Sequence, residues 1–284
     1  MYEQIADPDI IAGYLTDASN VHGHAERLVR PRNTEEVAAV ITHCQAHQIP
    51  LTITAARTST TAGPVPFGGW LLSTEYLTSI QYIKDDVARA QAGINLGEFQ
   101  REIESKNRFY PPDPTSRHDC TLGASIACNA SGARTFRYGA TREWIEGIQV
   151  VLPTGEIREI HRTDPIPADW PIPVWTEPKV KTAAGYSPPR NLLDLFIGQE
   201  GTLGFITEAT VRLTHLPTDV LGLIAFFPSR QSAVHCVEVL RDAARKNPNG
   251  ELSPRCIEYL DVHCLDIVRN RVGTTPDNAH AALF

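Results

Sequence analysis

Residues 120–139 read CTLGASIACNASGARTFRYG, and small side chains dominate this stretch up to residue 133. Small side chains let another group approach the main chain closely, and closely spaced backbone N–H groups can bind an anion. The composition therefore predicts that a ligand passes beside the backbone here. The alternative is that the small residues only allow tight turns at the corners of a sheet.

Two further segments of the chain have the same composition. We call residues 55–63 (AARTSTTAG) the first loop, residues 121–132 (TLGASIACNASG) the second loop and residues 198–204 (GQEGTLG) the third loop. None contains GxGxxG or GxxxxGK[ST], which argues against both a Rossmann NAD site and a P-loop. Three such loops in one chain favour a shared binding site for an anion or a flat ring.

The overall composition is that of a globular protein. The 284 residues are 42% hydrophobic and 21% charged, with a formal net charge of −7, and no basic cluster points to a nucleic-acid partner. The longest apolar run, VLGLIAFF at 220–227, is too short to span a bilayer. Neither the six cysteines nor the histidines have metal-site spacing. We expect a protein without a metal site, located in the cytoplasm or peripheral to a membrane.

Hydrophobic periodicity predicts an α+β fold in two domains. Amphipathic helices with N-terminal caps are predicted at 33–48 and 95–107. Strands are predicted at 50–54 and 205–213, and a hairpin at 147–160. We place a first domain at 1–217 and a second at 218–284. In the second domain, VLGLIAFF is predicted as a buried strand and the pattern continues as βαβα, with AALF at 281–284 opening a third strand. We therefore expect a fragment or a shortened member of something longer.

The chain resembles a known family through a series of motifs in a fixed order. These are LVRPRNTEEVAAVI, TSTTAGPVPFGG, YPPDPTS, the segment from residue 121 to 156 with NASG, RYG and VVLPTG, and LFIGQEGTLGFITEATVRL. They are similar to the FAD-binding domain of the vanillyl-alcohol oxidase/PCMH superfamily, and most similar to its glycolate oxidase and D-lactate dehydrogenase branch. The resemblance implies a two-subdomain PCMH-type FAD-binding fold, followed by the start of an α+β, ferredoxin-like cap domain.

The resemblance also implies which residues contact FAD. The first loop corresponds to the pyrophosphate-binding loop of the family, whose three glycines are here Ala55, Ala56 and Arg57. Because alanine disfavours positive φ, we expect an altered backbone there, with Arg57 as a cation beside the phosphates. The cofactor-binding residues carried over are Ala55, Ala56, Arg57, Thr58, Ser59, Gly63, Ser116, Thr121, Leu122, Gly123, Ala124, Cys128, Asn129, Ser131, Gly132, Tyr138, Gly139, Glu200, Gly201, Gly204 and Ile206.

The implied activity is the FAD-dependent oxidation of a D-2-hydroxy acid such as lactate, glycolate or 2-hydroxyglutarate. Electrons would pass to a quinone, a cytochrome or an electron-transfer protein. The FAD is expected to be non-covalent, because the first loop has no histidine and Cys120 lies one position from the family's attachment site. No catalytic base is identified. Two alternatives are a same-fold flavin enzyme with another alcohol-type substrate and a degenerate, non-catalytic subunit.

Overall fold

A computed structural model describes residues 2–172, 176, 186, 188–247, 250–269, 271 and 275–284. They fall into two compact units. The first unit consists of Met1–Ala130 and Ala140–Leu216, and the second of Ser131–Gly139 and Pro217–Phe284. The domain boundary after residue 217 stays a prediction. Each unit is described separately below.

The first sheet of the first unit has four strands. They are β1 (Glu3–Ile5), β2 (Arg27–Arg30), β3 (Leu51–Thr54) and β4 (Trp70–Ser73), in the order β1-β2-β4-β3. Strands β2, β4 and β3 are parallel, and β1 is antiparallel to β2. The helices of this part are α1 (Pro8–Ala12) and α2 (Thr34–Ala46). Helix α2 begins where predicted because the Asn33 side chain accepts a hydrogen bond from the Glu36 amide.

The second sheet of this unit has five antiparallel strands. They are β5 (Ile80–Ile83), β6 (Val87–Gln91), β8 (Ile145–Val151), β9 (Ile157–His161) and β10 (Phe205–Arg212), in the order β5-β6-β10-β8-β9. The predicted hairpin is β8 and β9. A separate pair joins β7 (Arg108–Phe109) to β11 (Thr214–His215), and the helices are α3 (Leu96–Glu104), α4 (Leu122–Ala127) and α6 (Leu192–Phe196).

One buried cluster ties the two sheets of the first unit together. Val29 and Leu72 come from the four-stranded sheet, Val40 from helix α2, and Val151 and Phe205 from the five-stranded sheet; all five are fully buried. The first loop begins where β3 ends, and the third loop lies directly before β10. Because this core fixes β3 relative to β10, it also fixes the two loops that extend from them.

The second unit contains helix α5 (Thr135–Tyr138), strand β12 (Ala225–Phe227), helix α7 (Arg230–Lys246), strand β13 (Tyr259–Asp261), helix α8 (Val262–Val268) and strand β14 (Ala281–Leu283). Strand β14 lies between β12 and β13 and is antiparallel to both. The prediction of a buried strand throughout 220–227 is wrong, because β14 offers only three residues for pairing. Val220, Leu221 and Leu223 are 61%, 78% and 65% exposed.

Candidate cofactor site

The three small-residue loops line a single cavity in the first unit. Its volume is about 340 Å³, within the range of small-molecule sites. Strand β3 leads into the first loop, helix α4 belongs to the second loop, and the third loop leads into β10. The lining residues are Ile53, Ala55, Arg57, Thr58, Ser59, Thr60, Thr61, Gly63, Pro64, Thr74, Ser116, Cys120, Gly123, Ala124, Ser125, Ala127, Cys128, Ala130, Gln199, Glu200, Gly201, Gly204 and Ile206.

Most of the cofactor residues taken from the resemblance line this cavity. Eight of them do not: Ala56, Thr121, Leu122, Asn129, Ser131, Gly132, Tyr138 and Gly139. The last four belong to the second unit, where the Gly132 amide donates to Thr135 Oγ1 at 2.9 Å and the Arg255 guanidinium lies 5.8 Å from the centre of the Tyr138 ring. For all of the carried-over residues, contact with FAD stays a prediction.

Two residues of the first loop adopt left-handed backbone geometry although neither is a glycine. Arg57 has φ +57° and Ala62 has φ +60°. Neither Ala55 nor Ala56 has a positive φ, and the altered backbone expected from these two alanines stays a prediction. Left-handed geometry disfavours a residue with a Cβ by roughly 1–2 kcal/mol. The surrounding structure therefore holds the loop in a conformation that its sequence does not favour.

The same loop offers unpaired backbone donors. Within the described residues, no hydrogen bond engages the amides of residues 56–60, whereas the Thr61 amide donates to Ser59 Oγ at 3.2 Å. Consecutive free N–H groups on a turn form a concave site for an anion. This arrangement suits the negatively charged diphosphate of a dinucleotide cofactor.

In the second loop, several small or polar residues have contacts that hold the fold together. Thr121 caps helix α4, since its Oγ1 accepts from the Ala124 amide at 3.3 Å. A Cβ on Gly123 would lie 2.5 Å from the Cβ of Ala92, so this glycine allows the helix to pack against the chain after β6. Asn129 Oδ1 accepts from the Arg142 amide at 3.0 Å. Thr121 and Asn129 therefore shape the loop without lining the cavity.

A buried glutamine that the sequence analysis missed organises the third loop. Gln199 is 2% exposed; its Nε2 donates to the Gly204 carbonyl at 3.0 Å and its Oε1 accepts from the Leu203 amide at 2.7 Å. The Gly198 and Glu200 amides donate to carbonyls of Ile126 and Ala127 at the end of helix α4. The second and third loops are thus joined through their main chains, and Gln199 sits at this junction.

A buried ion cluster also supports the third loop. Asp194 Oδ1 accepts from Arg142 Nη1 at 3.2 Å and from Arg162 Nη1 at 3.1 Å, and Asp194 is 2% exposed. Arg142 also donates to the carbonyls of Asp194 and Ile197, directly before the loop. Burial lowers the pKa of Arg142, and the Asp194 carboxylate opposes that effect. Arg142 lies in the 121–156 segment that carries the resemblance, but no local pattern pairs it with Asp194, which is 52 residues away.

Two thiols and one carboxylate lie on the cavity wall. Burial raises the pKa of Cys120. Cys128 lines the cavity and is exposed, yet desolvation of its thiol by the surrounding protein, and then the Glu200 carboxylate, raise its pKa to about 11. Both thiols are therefore protonated at neutral pH and are poor nucleophiles. Glu200 Oε2 accepts a hydrogen bond from Thr61 Oγ1 at 3.2 Å, which links the third loop to the first.

The donor set fits a dinucleotide better than a metal. The Thr74 hydroxyl lines the cavity, is buried, and has no hydrogen-bond partner among the described residues, so a ligand could satisfy it. Within the same residues, no group of three histidine, cysteine, aspartate or glutamate side chains could hold a metal ion. None of the described helices combines the length and the apolar character needed to cross a membrane.

Comparison with known proteins agrees with this geometry. Residues 25–161 match the family model of the FAD binding domain. The chain is 34% identical over 274 residues to D-lactate dehydrogenase of Anaerostipes hadrus, covering 92% of this chain and 51% of that protein. It is 31% identical over 265 residues to glycolate oxidase subunit GlcD of Bacillus subtilis, covering 91% and 50% respectively.

A solved structure of alkyldihydroxyacetonephosphate synthase superposes with a TM-score of 0.73 at 18% identity, covering 99% of this chain and 52% of that one. At that identity the likeness concerns the fold, and it agrees with the predicted α+β, PCMH-type class. The chain spans about half the length of the curated relatives it matches.

Proposed function

We propose that the protein is an FAD-dependent dehydrogenase that oxidises a D-2-hydroxy acid, and the premise is the match of residues 25–161 to the FAD binding domain family. The observation that carries the proposal is the single cavity on which all three small-residue loops converge. The substrate class is inferred from relatives named for D-lactate, glycolate and D-2-hydroxyglutarate. When bound, FAD supplies the acceptor for the two electrons removed from the substrate carbon.

The residues of the chain have three roles in this proposal. Free amides of residues 56–60 donate to the diphosphate, and the unpaired Thr74 hydroxyl donates to or accepts from another polar group of the cofactor. Cys120 and Cys128 line the cavity with thiols that stay protonated at neutral pH. A thiol that stays protonated does not attack the flavin, which supports a non-covalent cofactor.

We further propose that the electrons leave through a quinone, a cytochrome or an electron-transfer protein rather than through NAD, and that the protein works in the cytoplasm or at a membrane surface. We assign no catalytic base among the residues of the second unit that the structure describes. A same-fold enzyme with another alcohol-type substrate would share the FAD site, because the cavity described here belongs to the first unit.

The test has two stages. First, the purified chain is titrated with FAD, and any bound flavin is released by acid precipitation; we expect a yellow supernatant and a colourless pellet. Second, the protein as the cell produces it is mixed anaerobically with D-lactate, glycolate and D-2-hydroxyglutarate, with L-lactate as control. We expect one of the three acids to bleach the flavin band and L-lactate to leave it unchanged. Bound FAD that no 2-hydroxy acid reduces would contradict the substrate assignment.

A further inference from the structure

The cavity has an unusual balance of charge for a site that binds a diphosphate. Among its lining residues in the described part of the chain, Arg57 is the one basic side chain and Glu200 the one acidic side chain. Hydrogen bonds from a guanidinium to a phosphate are roughly twice as strong as neutral ones. Among these lining residues, Arg57 is therefore the one cationic side chain that a cofactor diphosphate could contact.

The Arg57 side chain is fixed in place by two contacts. Its guanidinium carbon lies 4.5 Å from the centre of the Tyr14 ring, and its Nη1 donates to the Ala55 carbonyl at 2.8 Å. A guanidinium has five N–H donors, and among the described residues this is the one hydrogen bond that the Arg57 guanidinium makes. Most of its donors remain available to a ligand.

Tyr14 is itself held rigidly. It is 8% exposed, its hydroxyl donates to Glu75 Oε1, and it accepts from Arg30 Nη2 at 3.0 Å. Arg30 Nε lies 3.2 Å from Glu75 Oε2, which closes the network. Burial, and then the Glu75 carboxylate, raise the pKa of Tyr14, so the hydroxyl keeps its proton and remains a donor. The ring is a fixed platform beneath the guanidinium.

We propose that Arg57 is the cation that binds the diphosphate of FAD and that Tyr14 positions it for this role. The inference rests on the proposed function, since it assumes that FAD is the ligand. Stacking on the aromatic face orients the planar guanidinium and leaves its edge free for bidentate bonding to phosphate oxygens. The competing explanation is that Arg57 only braces the first loop through the Ala55 carbonyl.

Two ligands separate these explanations. FAD carries the diphosphate, whereas riboflavin has the same ring system and no phosphate. Binding of each is measured by flavin fluorescence on the purified chain for Arg57→Gln, Arg57→Lys, Tyr14→Phe and Tyr14→Leu. Arg158→Gln is the matched control, because Arg158 is an exposed arginine paired with Glu156 outside the cavity lining. Thermal unfolding of every variant shows whether it is folded at the temperature of the titration.

We expect Arg57→Gln to bind FAD about 10- to 100-fold more weakly, the range for a lost charged hydrogen bond, with riboflavin affinity unchanged. Arg57→Lys should retain part of the FAD affinity. Tyr14→Leu should lower FAD affinity about 5- to 30-fold and Tyr14→Phe by less, because phenylalanine keeps the stacking face. The FAD affinity of the wild-type chain should fall with added salt, and this dependence should be weaker in Arg57→Gln.

Three results would overturn the inference. Arg57→Gln could leave the affinity for FAD unchanged. It could also weaken the binding of FAD and riboflavin equally, which is the result expected if Arg57 only braces the first loop. Alternatively, Arg57→Lys could lose as much FAD affinity as Arg57→Gln while the salt dependence persists in both. In each case the wild-type chain still binds FAD, so the proposed function stands. If the wild-type chain binds neither ligand, both the proposed function and this inference are wrong.

Discussion

Replacing Asp194 with asparagine tests the support of the third loop. The substitution preserves the shape of the side chain and removes its charge. Asp194 is 2% exposed and is the carboxylate that both Arg142 and Arg162 contact, at 3.2 Å and 3.1 Å. The side chain of Arg142 is only 7% exposed, so the variant leaves a buried cation without its counter-charge.

The expected loss of stability follows from that burial. Removing one partner of a buried ion pair costs roughly 3–5 kcal/mol, because the remaining charge stays desolvated. For a unit of about 200 residues, each kcal/mol lowers Tm by about 2–4 °C, so Asp194→Asn should lower Tm by about 6–20 °C. Arg142 also anchors the Ile197 carbonyl directly before the third loop, so FAD affinity should fall as well.

Urea and thermal unfolding of the cofactor-free chain measure the loss, and a flavin titration measures the affinity. Glu156→Gln is the matched control: it neutralises a carboxylate that pairs with Arg158 at 2.7 Å and whose side chain is 51% exposed. Exposed pairs contribute about 0–1 kcal/mol, so this variant should unfold almost like the wild type. If Asp194→Asn loses less than about 1 kcal/mol, the buried cluster does not support the loop in the way argued here.

Three further predictions concern the loops. Ala62→Gly should raise the free energy of unfolding by about 0.5–1.5 kcal/mol in urea titrations, because glycine removes the steric cost of the left-handed backbone at this position. The control Ala38→Gly, in helix α2, should lower the free energy of unfolding by about 1 kcal/mol. Gly123→Ala should lower the free energy of unfolding by about 1–3 kcal/mol by the same measurement, because the new Cβ collides with Ala92, which has no flexible side chain that could move away. Gly222→Ala is the control and should be neutral, because the space around Gly222 is open. Iodoacetamide should modify Cys128 slowly at neutral pH and faster toward pH 11, where its thiol ionises; a midpoint near the 8.5 of a free cysteine would contradict the raised pKa.

The elements that the sequence predicted are those whose signals are local. Helices α2 and α3 begin at the start of the predicted capped helices 33–48 and 95–107. Asn33 and Asn95 cap them, since each side chain accepts a hydrogen bond from an amide three residues later. The hairpin of β8 and β9 follows from its turn residues and alternation. The shared site of the three loops was predicted without knowledge of the sheet order, because small residues in all three indicate that a ligand passes close to their backbone.

The features that the sequence did not predict depend on partners far along the chain. Strand β12 pairs with β14 over three residues. The run at 220–224 has the hydrophobicity of a strand, yet in the described part of the chain no strand pairs with it. Arg142 and Asp194 are 52 residues apart, and Gln199 was not recognised as buried within a loop motif. The left-handed φ of Arg57 and Ala62 runs against the preference of both residue types, so only tertiary structure could reveal it.

The small residues of the second loop turn out to be small for two different reasons. Gly123, Ala124 and Cys128 all line the cavity, but a side chain on Gly123 would collide with Ala92 on the side of the fold. A larger side chain at position 123 therefore has to displace helix α4, and its effect appears first in stability. A larger side chain at position 124 meets the cavity, so its effect falls first on the binding of FAD. The sequence shows only that both residues are small. The contacts in the structure show that position 123 is limited by packing against Ala92 and that position 124 is limited by the cavity.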